Sequence, residues 1–422
     1  MQKIFTTVLS SIRPSKGELE NELQFSNGLV RHIRKYVPSS CQVVLTGSMA
    51  KRTFLRDKKD VDIFILFKPS VARQTLEHHV KTIMHKSFPS IGYQLSYAEH
   101  PYIRFHYKGR RIDLVPAYQI SKASERISAV DRSVLHTKFV HQNLKKSNIG
   151  DVLLLKKFLV ANSLYGAEIK TQGFSGYLCE LMIIRYNGFS KLIRAASKWK
   201  QSLFIDLKNY HKTKKQIITA QDSFGEFVVI DPTDANRNVA AAVSQQSFRK
   251  FIALCKAFVK KPSTDFFFRT PETFDEIVSK LKTRNSVFVL YMPRPDIVDD
   301  VLWGQLNKLI KQLGKHLEEF KPKKIFADDT KHIVRIAIVL SIDKLPGDVL
   351  LEGPPLDMKK HVQMFRKSHK KAKFIKKNKK IYAKEKRSMV KAESTIRAFF
   401  RTFSNTDSHL AYPEEMILVE KN

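Results

Sequence analysis

The 422-residue chain carries 75 lysines and arginines against 40 aspartates and glutamates, a formal net charge of +35, with 43% hydrophobic residues. That hydrophobic share is ordinary for a globular protein and excludes a disordered basic tail, while the length allows several packed units. The charge calls for a polyanionic partner, nucleic acid before acidic membrane, whose binding weakens steeply as salt rises. No apolar run reaches the length of a bilayer span and no signal-peptide core is present, so no membrane association is expected. Cys41, Cys179 and Cys255 are dispersed without zinc spacing and read as reduced thiols of a cytoplasmic protein.

In chain order, Ser15 and Glu18 form a capping-box pattern, and Leu19, Leu23, Leu29, Val30 and Ile33 then give a helical stripe ending near Pro38. An apolar run at Val43–Leu45 leads into Gly47-Ser48, where a short strand would hand over to a helix. Backbone N–H groups and a Ser hydroxyl at such a turn can receive phosphate oxygens. Asp60-Val61-Asp62 opens the next apolar strand. Alternation places Asp60 and Asp62 on one face and sends Val61 and Ile63 to the core. Two carboxylates on one face are stable together mainly around a cation, and Mg²⁺ is commonly held by one or two carboxylates plus substrate phosphates. Pro101–Tyr107 alternates as a strand, Lys108-Gly109 can turn it, and Arg110–Pro116 returns with Ile112 and Leu114 inward and Asp113 outward. Three acids could serve two divalent ions in nucleotidyl transfer.

From Asp151 to Tyr186 the pattern becomes helical, with Leu154, Leu155, Phe158 and Leu159 on one face. Phe227–Ile230 reads as a short strand, and a helix through Phe248, Phe251, Leu254 and Phe258 closes a central unit near residue 262. Beyond the Phe266–Phe268 cluster a mixed module follows. It has strands at Ser286–Tyr291 and Val334–Leu340, an amphipathic helix over Val301–Phe320, and turns at Pro346-Gly347 and Gly353–Pro355. Lys359–Arg387 holds many cations and one acid, Glu385, with Phe365, Phe374, Ile375, Ile381 and Tyr382 interleaved. That interleaving predicts a folded segment presenting its lysines on one side.

Gly47-Ser48 with Asp60-Val61-Asp62 resembles the signature of the nucleotidyltransferase superfamily, which includes poly(A) polymerases, oligoadenylate synthases and CCA-adding enzymes. Further stretches narrow the resemblance to the archaeal-type (class I) CCA-adding enzymes: Ser128–Arg132, Leu135-His136, Tyr165–Glu168, Gly173–Leu181, Asp231-Pro232, Arg237–Ala241 and Pro295–Asp300.

The resemblance implies a multidomain α+β protein. A nucleotidyltransferase (polymerase-β-like) catalytic head would span residues 1–138 and a helical central domain 139–265. A mixed α/β C-terminal body with a basic tRNA-binding tail would span 266–422. It implies template-independent addition of C, C and A to the tRNA 3′ end from CTP and ATP with Mg²⁺, releasing pyrophosphate. Asp60, Asp62 and Asp113 would be catalytic and metal-binding. Gly47, Ser48, Lys51, His136, Lys156 and Tyr165 would bind the nucleotide, and Arg237 would lie near the incoming base and primer phosphates. The alternative explanation for Arg237 is a surface salt bridge to Asp234. Members of the resembled family often form homodimers. Two rival functions share parts of this pattern, a poly(A)- or oligoadenylate-type polymerase and a non-catalytic RNA-binding protein. Product length discriminates the first, because a tRNA lacking its terminal triplet gains three nucleotides and stops.

Overall fold

The computed structural model describes residues 1–97, 101–200, 202–213, 216, 219, 225–403 and 408–419. These form two compact units, Met1–Pro271 and Glu272–Asn422.

In the first unit, helix α1 (Gln2–Ile12) precedes α2 (Lys16–Arg34), which starts at the expected capping box between Ser15 and Glu18. A five-stranded sheet follows, built from β1 (Gln42–Thr46), β2 (Val61–Phe67), β3 (Tyr93–Tyr97), β4 (Pro101–Tyr107) and β5 (Arg110–Tyr118). Its order is β1-β2-β5-β4-β3, with β2 and β5 parallel and the other pairs antiparallel. The short helix α3 (Gly47–Lys51) links β1 to β2, and α4 (Leu76–Ser87) packs on the sheet. The β4–β5 hairpin turns at Lys108 and Gly109, both at positive φ, the backbone a tight two-residue hairpin requires.

Period-two alternation sorts β2 and β5 onto two faces. Val61, Ile63, Ile65, Ile112 and Leu114 join the core formed with α2 and α4. Phe64, Leu66, Val115 and Ala117 form a separate cluster on the opposite face. Asp62 and Asp113 belong to that second face, and the parallel register makes them direct neighbours.

The remainder of the first unit is mainly helical: α5 (Arg132–Asn143), α6 (Ile149–Ala161), α7 (Gly176–Tyr186), α8 (Phe189–Ala196), α9 (Gln245–Lys260) and α10 (Asp265–Phe268). A small sheet, β6 (Leu203–Asp206), β7 (Phe227–Asp231) and β8 (Asp234–Asn238), lies among them. α6 is buried around most of its circumference, so its apolar residues exceed the single face that was expected. Phe158 stands within 6.4 Å, centroid to centroid, of Phe189, Phe251, Phe258, Phe266 and Phe267. Phe5, Val8 and Ile12 of α1 belong to this same core.

The second unit holds α11 (Phe274–Lys282), β9 (Ser286–Pro293), α12 (Asp299–His316), β10 (Pro322–Asp329) and β11 (Ile333–Leu340). It continues with β12 (Asp348–Pro355), α13 (Lys359–Ser368), β13 (Lys373–Lys377), β14 (Lys380–Lys386), α14 (Ala392–Phe403) and β15 (Glu415–Val419). One antiparallel sheet runs β10-β11-β9-β15 and a second runs β12-β14-β13. Gly353–Pro355 ends β12 at a register shift instead of making a free turn. The lysine-rich segment is folded, but its lysines do not share one side. Lys373 and Lys377 pair across the hairpin with Lys384 and Lys380, whereas Lys376 lies opposite buried Ile381 on the other face. Like charges placed directly opposite cost stability, and Glu352 and Asp348 of β12 offset part of that cost by pairing with Lys380 and Lys384.

Candidate active site

The site begins at Gly47, where β1 gives way to α3. Its φ is +68°, and a Cβ there would stand 1.8 Å from Asp62 Oδ2. Only glycine provides both the left-handed backbone and the space for the carboxylate. α3 is one turn long, and Arg52 ends it in the left-handed region. Gly47, Ser48, Lys51, Asp60, Asp62, Lys156 and Tyr165 line one cleft of about 740 Å³. Seven of the ten expected site residues therefore converge. Asp113 joins them through its register with Asp62, whereas His136 and Arg237 sit at a neighbouring cluster.

The three carboxylates are each engaged by other groups instead of standing as a preformed ligand cage. No group of three or more His, Cys, Asp or Glu side chains among the described residues stands arranged to hold a metal ion. Asp60 precedes β2 and accepts from Arg111 Nη2 at 2.6 Å. Asp113 is held by a two-pronged pair, Arg104 Nε to Oδ1 and Nη2 to Oδ2, each at 2.8 Å. Arg104 is the cross-strand neighbour of Asp113, so the fork geometry follows from register. Burial, then the Asp113 and Asp60 charges, raise the Asp62 carboxyl to about 6. This all-oxygen donor set, with one member disfavoured as an anion by its like-charged neighbours, fits a hard divalent cation.

The same cleft is also lined by cations, Lys51 and Lys156 among them. Lys51 Nζ donates to Glu180 Oε2 at 2.5 Å, and Lys156 Nζ donates to the Thr53 carbonyl at 2.7 Å. Burial lowers the Lys156 pKa and raises that of the Tyr165 hydroxyl. Tyr165 is clamped by a bridge to Phe174, and the absent side chain of Gly176 leaves its hydroxyl room.

His136 and Arg237 meet at Asp231, whose side chain is fully buried. His136 Nε2 and Arg237 Nη1 both donate to its Oδ2 at 2.8 Å, and Tyr177 donates to Oδ1 at 3.2 Å. The His136 ring stacks on Tyr177 at 4.0 Å, and Tyr177 itself lines the cleft. Burial holds His136 below its usual pKa, opposed by its hydrogen bond to Asp231 and that carboxylate's charge. Against the opposing effect of burial, the His136, Thr233 and Arg237 hydrogen bonds hold the Asp231 carboxyl well below the usual carboxylate range. Arg237 does not pair with Asp234, the alternative raised by sequence; Arg132 and Arg126 take that partner. Sequence reasoning gave no role to Glu180, Asp231, Tyr177, Arg104 or Arg111. Glu180, Tyr177 and Asp231 lay inside recognised motifs, but pairings between distant segments leave no local pattern.

The fold and the carboxylate-lined cleft define a nucleotidyltransferase. Residues 28–136 match the nucleotidyltransferase domain family, residues 150–268 the second domain of tRNA nucleotidyltransferase, and residues 284–409 the C-terminal domain of CCA-adding enzyme. The CCA-adding enzyme of Methanocaldococcus jannaschii is 36% identical over 381 residues, covering 87% of this chain and 84% of that one. Those of Methanosarcina mazei and Pyrobaculum neutrophilum are 33% and 37% identical, covering 85% and 75% of this chain and 80% and 73% of theirs. The chain belongs to the CCA-adding enzyme family. Among solved structures, a cytoplasmic RNA terminal U-transferase aligns with a TM-score of 0.50 at 12% identity, over 64% of this chain and 100% of that one. A structure of Cid1 aligns with the same score and identity, over 64% and 97%. At that identity the likeness shows the fold alone. No helix among the described residues is long and apolar enough to cross a membrane.

Proposed function

We propose that the protein adds C, C and A, without a nucleic-acid template, to the 3′ end of tRNA from CTP and ATP. The terminal 3′-hydroxyl attacks the α-phosphorus, the bond to the bridging oxygen breaks, and pyrophosphate leaves. Asp60, Asp62 and Asp113 would hold Mg²⁺, which when bound offsets phosphate charge and makes the attacking hydroxyl more acidic. Gly47 N–H and the Ser48 hydroxyl receive phosphate oxygens. Lys51, Lys156 and Tyr165 hold the leaving group from the cleft lining, where preset donors cost no reorganisation. Arg237 presents a planar fork suited to a base edge or a primer phosphate. His136, held by Asp231 and stacked on Tyr177, acts from behind the cleft wall.

The observation that carries this reading is the pairing of Asp62 with Asp113 on one face, beside a wall bearing Lys51 and Lys156. In this reading residues 1–138, 139–265 and 266–422 serve as catalytic head, central nucleotide-binding domain and tRNA-gripping tail. The lysines of α13, β13 and β14 hold A-form RNA through phosphates and 2′-hydroxyls. The enzyme acts in the cytoplasm, and sedimentation would test its assembly as a homodimer. The deciding experiment offers labelled CTP and ATP to tRNAs ending before the first C, before the second C and before A. Each should be completed and then left unextended; long A tracts would refute the reading.

A further inference from the structure

Glu180 lies on α7 with its side chain fully buried, and the reaction outlined above gives it no part. Its Oε2 accepts from Lys51 and its Oε1 accepts from Thr53 Oγ1 at 2.6 Å, with Lys156 Nζ 4.0 Å away. Lys156 also donates to the Thr53 hydroxyl at 3.3 Å. The cluster thus ties α7 to α6 and to the segment leaving α3. It contains two ammonium groups and one carboxylate, so one positive charge is left over.

Both lysines and Glu180 line the cleft, so the surplus charge faces the space where a polyphosphate would lie. Two cations this close repel, and burial disfavours each of them. The buried carboxylate offsets both penalties, and the lysines in return keep Glu180 ionised despite its burial. A purely structural clamp needs only balanced charge; an excess of one sign on a cleft wall suits an anionic ligand.

We infer that Glu180 is a positioning residue that fixes the Lys51 and Lys156 ammonium groups against the triphosphate of the incoming nucleotide. The inference rests on the functional reading above. Its test measures CTP affinity by equilibrium titration of the full chain, together with KM and kcat on tRNA lacking its terminal triplet. Glu180→Gln is expected to weaken CTP binding about tenfold and to raise KM by a similar factor, with tRNA affinity unchanged. In a Lys51→Met or Lys156→Met background the same change should cost less than about threefold, because coupled residues are not additive. If Glu180→Gln does not fold, Glu180→Asp withdraws the charge by one methylene and is expected to weaken CTP binding by a smaller factor. Unchanged CTP affinity with a lowered melting temperature would assign Glu180 to packing alone and overturn the inference. So would a penalty that multiplies undiminished in the lysine variants. A wild-type protein that bound no CTP would instead refute the functional reading.

Discussion

Replacing Gly47 by alanine tests the geometry of the catalytic edge at a single atom. The new Cβ would fall 1.8 Å from Asp62 Oδ2, so the carboxylate must retreat by roughly 1.5 Å to reach ordinary contact. A left-handed alanine costs about 1 to 2 kcal/mol and an off-rotamer Asp62 about 1 more. For a unit of this size, about 3 kcal/mol lowers the melting temperature by roughly 5 to 10 °C. The larger effect is chemical, since a displacement of this order costs about 100-fold in rate. Single-turnover incorporation of labelled CTP into tRNA lacking its terminal triplet reads the rate, and scanning calorimetry reads the stability. Gly28→Ala is the control, because nothing lies within 4 Å of its added methyl and it sits inside α2. That control should be active and slightly more stable. A Gly47→Ala protein incorporating CTP at the wild-type rate would refute the claim that Asp62 depends on this glycine.

Three further outcomes are expected. Asp62→Asn should abolish incorporation while leaving tRNA affinity in a filter-binding assay largely unchanged; full activity would overturn the catalytic assignment. Asp231→Asn should cost about 3 kcal/mol by urea denaturation at neutral pH, because it leaves Arg237 and His136 facing an uncharged partner. A depressed folded-state pKa gives stability that is fully present above the ordinary carboxylate range and lost only as pH falls through the folded-state value, so the gap between wild type and variant should begin to narrow below about pH 4 and shrink progressively as the pH is lowered further. A gap as wide at about pH 2.5 as at neutral pH, or one already lost at about pH 5, would contradict the depressed Asp231 carboxyl. Finally, Lys373→Gln combined with Lys377→Gln should weaken tRNA binding and make its dependence on log salt shallower, by about one for each phosphate no longer neutralised. An unchanged salt slope would remove β13 from the RNA surface.

The catalytic edge was legible because its logic is local. Strand alternation placed Asp62 and Asp113 outward, Lys108-Gly109 offered a turn, and Ser15 with Glu18 announced α2. What stayed hidden depends on pairings across long sequence separations. Glu180 meets Lys51 from 129 residues away and Asp231 meets His136 from 95. The arginine forks on Asp113 and Asp60 were also invisible, since a carboxylate's partner is set by neighbouring strands. β10 and β12 escaped notice because their mixed lysine, aspartate and proline content masks alternation. α1 went unremarked although Phe5, Val8 and Ile12 have helical spacing.

That first helix ties the leading end of the sheet-bearing segment to the helical core. Phe5 and Val8 are embedded beside Phe189 and Phe258, so the chain leaves the helical core after residue 12, touches it again through Leu55, and rejoins it from α5 onward. The sheet-bearing segment is thus held to the helical core at its start, its middle and its end, and the Lys51–Glu180 and Lys156–Thr53 bonds add polar ties beside the catalytic carboxylates.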